Sequence, residues 1–354
     1  MDILAVVEQF DEAPTAALFG LMTGMIFGIA AQRSGFCLRA ATVEFARGSL
    51  GPRMAVWLLC FSTALVWVQG AELIGLMRAD EARIMAVTGS WSGAILGGLM
   101  MGAGMVLARG CPGRLLVLAA TGNLRSIVSG LIFAVLAQMS LHGWLSPLRE
   151  WLAALWVTPG GRNINLIEAF RLPQATGLMV GCGFAVLALW LARRNRISFR
   201  TLFFGAGVGF AVAVGWVLTF GLAQISFDPV QVQSLTFTGP SANTLMFFLE
   251  RPALLSFDIG LVPGVFLGSF LAAWIGRDLQ LQGFESEVNM RKAMIGAALM
   301  GFGGMLAGGC SIGAGVTGGS IFVATMWVAL VAMWVGGVAT DYLVDQSRGS
   351  VKAA

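Results

Sequence analysis

The sequence predicts an all-α polytopic membrane protein with about nine transmembrane helices, further short re-entrant helices, and two pseudo-symmetric inverted halves. Three observations predict it. First, the 354-residue chain is 57% hydrophobic and 11% charged, where a soluble domain averages about 45–50% and about 25%. Second, nine apolar runs each approach the roughly 20 residues that span a bilayer. Third, one glycine-rich, cysteine-bearing interruption occurs twice, as "ARGCPGR" at Ala108–Arg114 and "AGGCSIG" at Ala307–Gly313.

The runs fall at 17–32, 54–74, 92–109, 126–145, 175–192, 201–224, 260–276, 293–308 and 321–343. No strand-like alternation dominates, so helices rather than a barrel satisfy the backbone in lipid. The opening stretch carries Asp2, Glu8, Asp11 and Glu12 instead of the positive charge of a secretory signal. The first run is therefore expected to stay in the mature protein. "QRSGFCLRAATVEFARG", Gln32–Gly48, follows as a short element holding Cys37. His142, near the end of run four, is expected to be a polar interface residue. Ser146–Trp156, with Trp151 and Trp156, suits a helix lying flat in the interface. An insertion at Phe227–Asp258 contains a short helix expected over Gly239–Pro252, with Ser241 and Asn243 as cap candidates. The expected organisation is a first half-repeat 1–145, a linker 146–174, a second half-repeat 175–345 and a tail 346–354.

Charge placement sets the orientation. Of the 22 basic residues, 16 lie in the loops after runs one, three, five and seven or in the tail, most densely at Arg193–Arg200. The positive-inside rule then puts the amino terminus in the periplasm and the carboxyl terminus in the cytoplasm. The net charge of +4 gives no reason to expect nucleic acid.

The two breaks carry the chemistry. Ile95–Cys111 and Met294–Cys310 match at eight of 17 positions without a gap. They end runs three and eight, which cross in opposite directions, and inverted repeats with interrupted helices near the midplane are a transporter signature. A gapless offset places Arg194 where Cys37 stands in the first half. "GGCSIGAGVTGG", Gly308–Gly319, holds six glycines in 12 residues. Such backbone is tolerated at membrane depth only inside protein or beside a cavity. Pro112 favours the first turn of a helix, which makes Cys111 its cap. Free N–H groups at a helix start attract anions, and Gly35, Gly110, Gly113, Gly309 and Gly313 allow close backbone approach. Arg33, Arg39, Arg109 and Arg114 could draw an anion towards the cytoplasmic side. A thiol is a weak donor and a soft contact; it suits an anion that must also leave. The same helix start favours a nucleophilic thiolate, so donor and nucleophile remain alternatives. Cys60 and Cys182 lie in unbroken apolar runs and are expected to pack as small hydrophobes.

Five cysteines without a C-x-x-C pair and a single histidine argue against a zinc site, a disulfide scaffold and a thiol or haem enzyme. No nucleotide-binding G-x-x-x-x-G-K-[ST] is present, and Glu44, Glu72 and Glu250 fall near span ends or loops and form no acidic relay. No metal or cofactor is expected.

"GIAAQRSGFCLRAA", "GMVLARGCPGR" and "GMLAGGCSIGAG" together resemble the YeeE/YedE family of inner-membrane proteins, which includes thiosulfate transporters. The resemblance covers nearly the whole chain. It implies an hourglass of nine transmembrane and several short helices, and import of thiosulfate for cysteine synthesis. The family's three pathway cysteines carry over to Cys37, Cys111 and Cys310, and Gly35, Pro112 and the other residues of the breaks form the pathway backbone. It also implies a small TusA-like sulfur carrier as cytoplasmic partner, beside the membrane lipid. The alternatives are a selenium or other sulfur species as cargo, or a membrane thiol or sulfurtransferase component that docks a sulfur carrier.

Overall fold

The computed structural model describes residues 11–227, 230–249, 255–283 and 286–346. Each expected span falls on a helix: α1 (Glu12–Ser34), α3 (Pro52–Leu73), α5 (Trp91–Leu107), α7 (Leu124–Leu141), α10 (Ala175–Arg194), α11 (Phe199–Ile225), α13 (Phe257–Gly276), α14 (Glu287–Leu306) and α15 (Ala324–Asp341). Eight of the described helices are long and apolar enough to cross a membrane. The ninth expected span, α14, has 20 residues, but Glu287, Arg291 and Lys292 in its first turns dilute its hydropathy. Between the long helices lie short ones: α2 (Leu38–Ala46), α4 (Arg83–Ala86), α6 (Pro112–Ala120), α8 (Ser146–Ala154), α9 (Leu166–Ala169) and α12 (Thr238–Leu249), with a π-helical turn at Gly313–Gly318.

Small residues determine how the long helices meet. A Cβ on Gly20, Gly24 or Gly28 of α1 would strike the carbonyls of Phe257, Leu261 or Val265, and one on Gly260, Gly264 or Gly268 of α13 would strike those of Ala17, Leu21 or Met25. The contact is reciprocal, so the two backbones touch along three turns, as close-packed membrane helices do. Helices α5 and α14 repeat the device: a Cβ on Gly303 would lie 2.8 Å from Gly97 O, and one on Gly296 2.6 Å from Gly104 O. Helix α11 packs on α1 and α3, α15 on α5, α14 on α7, and α10 flanks α3.

Two local expectations change. Helix α12 begins at Thr238, so Ser241 and Asn243 lie inside it and do not cap it. Ser241 N–H donates to Phe237 O, and the Asn243 side chain turns to Asp258 at 2.7 Å. The end of that expected helix, 250–252, lies outside the described residues. Cys60 is fully buried as expected, whereas Cys182 is exposed on the outer side of α10. In the linker, α8 buries none of its residues, and Trp151 and Trp156 are exposed. His142 ends α7 and is exposed.

Candidate functional site

The two cysteine-bearing breaks have the same backbone. In the first, N–H groups of Ala108, Arg109 and Gly110 donate to Gly104, Val106 and Met105 at 2.9, 3.2 and 3.0 Å. In the second, Ala307, Gly308 and Gly309 donate to Gly303, Met305 and Gly304 at 2.9, 3.3 and 2.9 Å. The left-handed residue of this turn is Arg109 (φ 57) in one and Gly308 (φ 77) in the other. After each cysteine the chain turns into a helix start, with Leu115 N–H on Cys111 O at 2.9 Å and Ala314 N–H on Cys310 O at 2.7 Å.

Beyond that point the copies separate. Pro112 opens α6, nine residues of α-helix capped by Cys111. After Cys310 comes the π-helical turn, in which Thr317 N–H reaches back five residues to Ile312 O at 2.8 Å. Both segments close on a second left-handed residue, Gly122 (φ 98) and Phe322 (φ 56). The second has 12 residues from cysteine to closure, the first 11. One added residue absorbed as a wider turn is the usual origin of a π-bulge, and such bulges concentrate at functional sites.

The breaks meet in the core. A Cβ on Gly113 would lie 2.5 Å from Ile312 Cδ1 and 3.0 Å from the Phe237 ring. The Cys111 side chain contacts that of Cys37 on one side and Ser311 on the other. Cys37 caps α2 from an extended backbone, and its sulfur is drawn towards Ala40 N–H as that of Cys111 is towards Arg114 N–H. Cys310 Sγ accepts from Gly313 N–H at 3.4 Å and Phe237 N–H at 3.3 Å. All three thiols thus sit at the start of a short helical segment, facing the N–H three residues on. Cys111 and Cys310 are fully buried and Cys37 is half-buried.

Phe237, not Arg194, precedes the short helix of the second half as Cys37 does in the first. Arg194 ends α10 and lies over the Trp190 ring at 5.7 Å. Arg194 comes from a 157-residue offset, whereas the 199-residue offset of the two breaks carries Cys37 to Thr236, one residue short of Phe237.

The arginines named from the sequence do not form one ring. Arg114 is half-buried, donates to Ala31 O at 3.4 Å and stands near Cys37 and Cys111. Arg33 lies 3.9 Å from Asp278, and the buried Nε of Arg39 has no hydrogen-bond partner. Arg109 is exposed in the break. Arg53 joins this end by donating to Gly35 O at 3.4 Å. Gly35 needs its freedom, with φ 66. Gly110 has no left-handed backbone, because Arg109 takes that turn. Among the described residues, no three His, Cys, Asp or Glu side chains gather as a metal site requires.

On the Cys310 side lies a cavity of about 360 Å³. Gly309 and Gly313, close in the chain to Cys310, line it together with Thr236, Thr238, Arg83, Arg149, Asn243 and Asp258. The sequence reading missed this vestibule. Its residues come from the linker, from α4 and the turn before α5, from the end of α14, from the irregular stretch before α12 and from α12 and α13, and no single window of sequence contains them.

Residues 33–339 match the model of a family described as sulphur transport. A thiosulfate transporter TsuA from Escherichia coli is 27% identical over 92% of this chain and 94% of its own length. A protein of the same name from Spirochaeta thermophila is 27% identical over 90% of this chain and 96% of its own. A probable transporter YedE of Escherichia coli is 33% identical over 72% of this chain and 55% of its own.

Proposed function

Because the chain belongs to the sulphur-transport family, we propose that it is a permease that carries a small sulfur oxyanion, thiosulfate first, across the cell inner membrane. The anion passes from the cavity to Cys310, then to Cys111 and Cys37, and leaves on the arginine-bearing face. The observation that carries this reading is the row of three thiols, each at a helical start, where the two breaks touch. Helix starts supply N–H donors and positive potential without a full charge, and thiols add soft contacts an anion can leave. Gly35, Gly110, Pro112, Gly113, Gly309 and Gly313 shape the backbone, and Arg33, Arg39, Arg109 and Arg114 attract the anion on the exit side.

The positive-inside rule makes the arginine face cytoplasmic and both the cavity and the amino terminus periplasmic. The half-buried Cys37 thiol faces that exit, where a TusA-like sulfur carrier would collect the sulfur species. Importing a dianion into a cell held at −100 mV costs roughly 5 kcal/mol, at about 2.3 kcal/mol per charge.

The test is growth on thiosulfate as sole sulfur source in a bacterium that lacks its own sulfate and thiosulfate uptake, with membrane levels checked. Wild type should rescue, and Cys111→Ala and Cys310→Ala should not. Rescue by all three would reduce the thiols to packing. Failure of well-expressed wild type would remove thiosulfate as cargo in favour of a selenium or other sulfur species.

A further inference from the structure

Two acidic side chains are buried among the described residues, Asp341 and Asp258. Arg47 holds Asp341 through two hydrogen bonds. Asp258 has no such partner. It lies in the first turn of α13, is 4% exposed and lines the cavity. Its Oδ2 accepts from Asn243 Nδ2 at 2.7 Å, and its buried Oδ1 has no hydrogen-bond partner. A carboxylate is a poor lining for an anion's vestibule unless its charge can be removed.

We propose that Asp258 makes the cavity a proton-linked anion site, in which the anion binds together with one proton. This rests on the transport reading above. With the cavity empty, burial opposes the charge on Asp258, while the Asn243 hydrogen bond, Arg83 on the wall of the same cavity and the start of α13 favour the carboxylate. The other groups facing this region are neutral or engaged. Gln233 and Asn243 carry no charge, Arg149 on the cavity wall pairs with the exposed Glu150 at 3.1 Å while its buried Nε has no partner, and Glu12, at the start of the packed helix α1, accepts from Phe227 N–H. Helices α1, α6 and α12 pack against α13, and α1 and α12 place no charged side chain at the level of Asp258; the one charge on α6 is Arg114, at the thiols.

An arriving dianion reverses the balance: it repels the carboxylate and competes for Arg83. A proton from external water then binds Oδ1, which becomes an O–H donor to the anion. One proton is taken up, no bond of the anion is broken, and the charge added to the site falls from two to one. Linkage sets the sign. Because the anion raises the proton affinity of Asp258, anion affinity rises as pH falls and levels off once Asp258 is protonated before binding.

The test is titration calorimetry of the purified full-length protein with sodium thiosulfate, in two buffers of different ionisation enthalpy, from pH 5.5 to 8.5. Wild type should take up close to one proton per anion at the alkaline end. Its affinity should fall about tenfold per pH unit there, the slope for one linked proton. Asp258→Asn, which keeps shape and a donor, should take up none and bind with little pH dependence. Binding by wild type without proton uptake overturns the proposal even if the variant does not fold, and so does unchanged uptake in a folded Asp258→Asn. No thiosulfate binding by folded wild type overturns the thiosulfate reading, and this proposal with it, which keeps the two failures distinct.

Discussion

From Met105 to Leu115 and from Gly304 to Ala314 the chain makes one turn twice, bond for bond. The sulfurs at the centres of those turns nevertheless meet different surroundings. Cys111 meets a second thiol and a hydroxyl, while Cys310 meets two backbone N–H groups. The repeated backbone sets where each sulfur sits, and the neighbouring short element sets what it can do. On the pathway proposed above, N–H groups suit the sulfur beside the cavity, where an anion would first lose water, and the thiol pair near Arg114 suits its release.

The short helices are also tied differently, and this gives the largest expected effect. Arg47 ends α2 and binds Asp341, which is fully buried at the end of α15. Its counterpart α12 is held to α13 by the Asn243–Asp258 bond. Arg47→Ala strands a buried carboxylate, a change that costs about 3 kcal/mol. The half-exposed Arg47 side chain lets water recover part of that. Thermal unfolding in detergent should show a clear drop for Arg47→Ala. A midpoint equal to wild type would mean that α2 does not depend on this tie.

The next effect concerns the residue that separates the copies. Deleting Gly315 gives the second segment the length of the first and should close the π-helical turn into α geometry. Thr317 would then leave its present partner, Leu235 O, while Gly313 N–H keeps Cys310 Sγ as Arg114 N–H keeps Cys111 in the first copy. Thiosulfate uptake should fall by at least about tenfold, or about 1.4 kcal/mol in barrier, with protein still in the membrane. Wild-type uptake by the deletion would show that the wider turn is incidental.

That added residue also marks what the sequence reveals and what it hides. Apolar run length and the repeated "ARGC" and "AGGC" breaks make the spans, the turn and the cap role of Cys111 legible, since each is a local rule of chain length or of proline at a helix start. The correspondence of Cys37 with Phe237 is not legible. It depends on a one-residue difference in spacing, 74 residues from Cys37 to Cys111 against 73 from Phe237 to Cys310, so the gapless alignment of the breaks misses it by one position. Nor does Asp258 stand out, because a lone aspartate before an apolar run reads as a helix-start residue. Only the fold brings Asn243, Arg83 and the cavity around it. Cys182 shows the same limit: an unbroken apolar run does not say which side of α10 faces protein, and Cys182 faces outward.

The smallest effect tests the identity of the two turns most directly. Arg109 and Gly308 both sit in left-handed backbone, which costs a residue with a Cβ roughly 1–2 kcal/mol. Glycine loses more freedom on folding, about 0.5–1 kcal/mol. Arg109→Gly should therefore stabilise the protein by about 0.5 kcal/mol, less whatever the arginine contributes through its own contacts. Gly308→Ala should do the opposite and more strongly, because the new Cβ would also lie 2.9 Å from Met326 Cε. Thermal midpoints of the two variants in one detergent should move in opposite directions. A fall for Arg109→Gly would show that its side chain holds the first break together, and that the arginine is kept there by those contacts in spite of the turn.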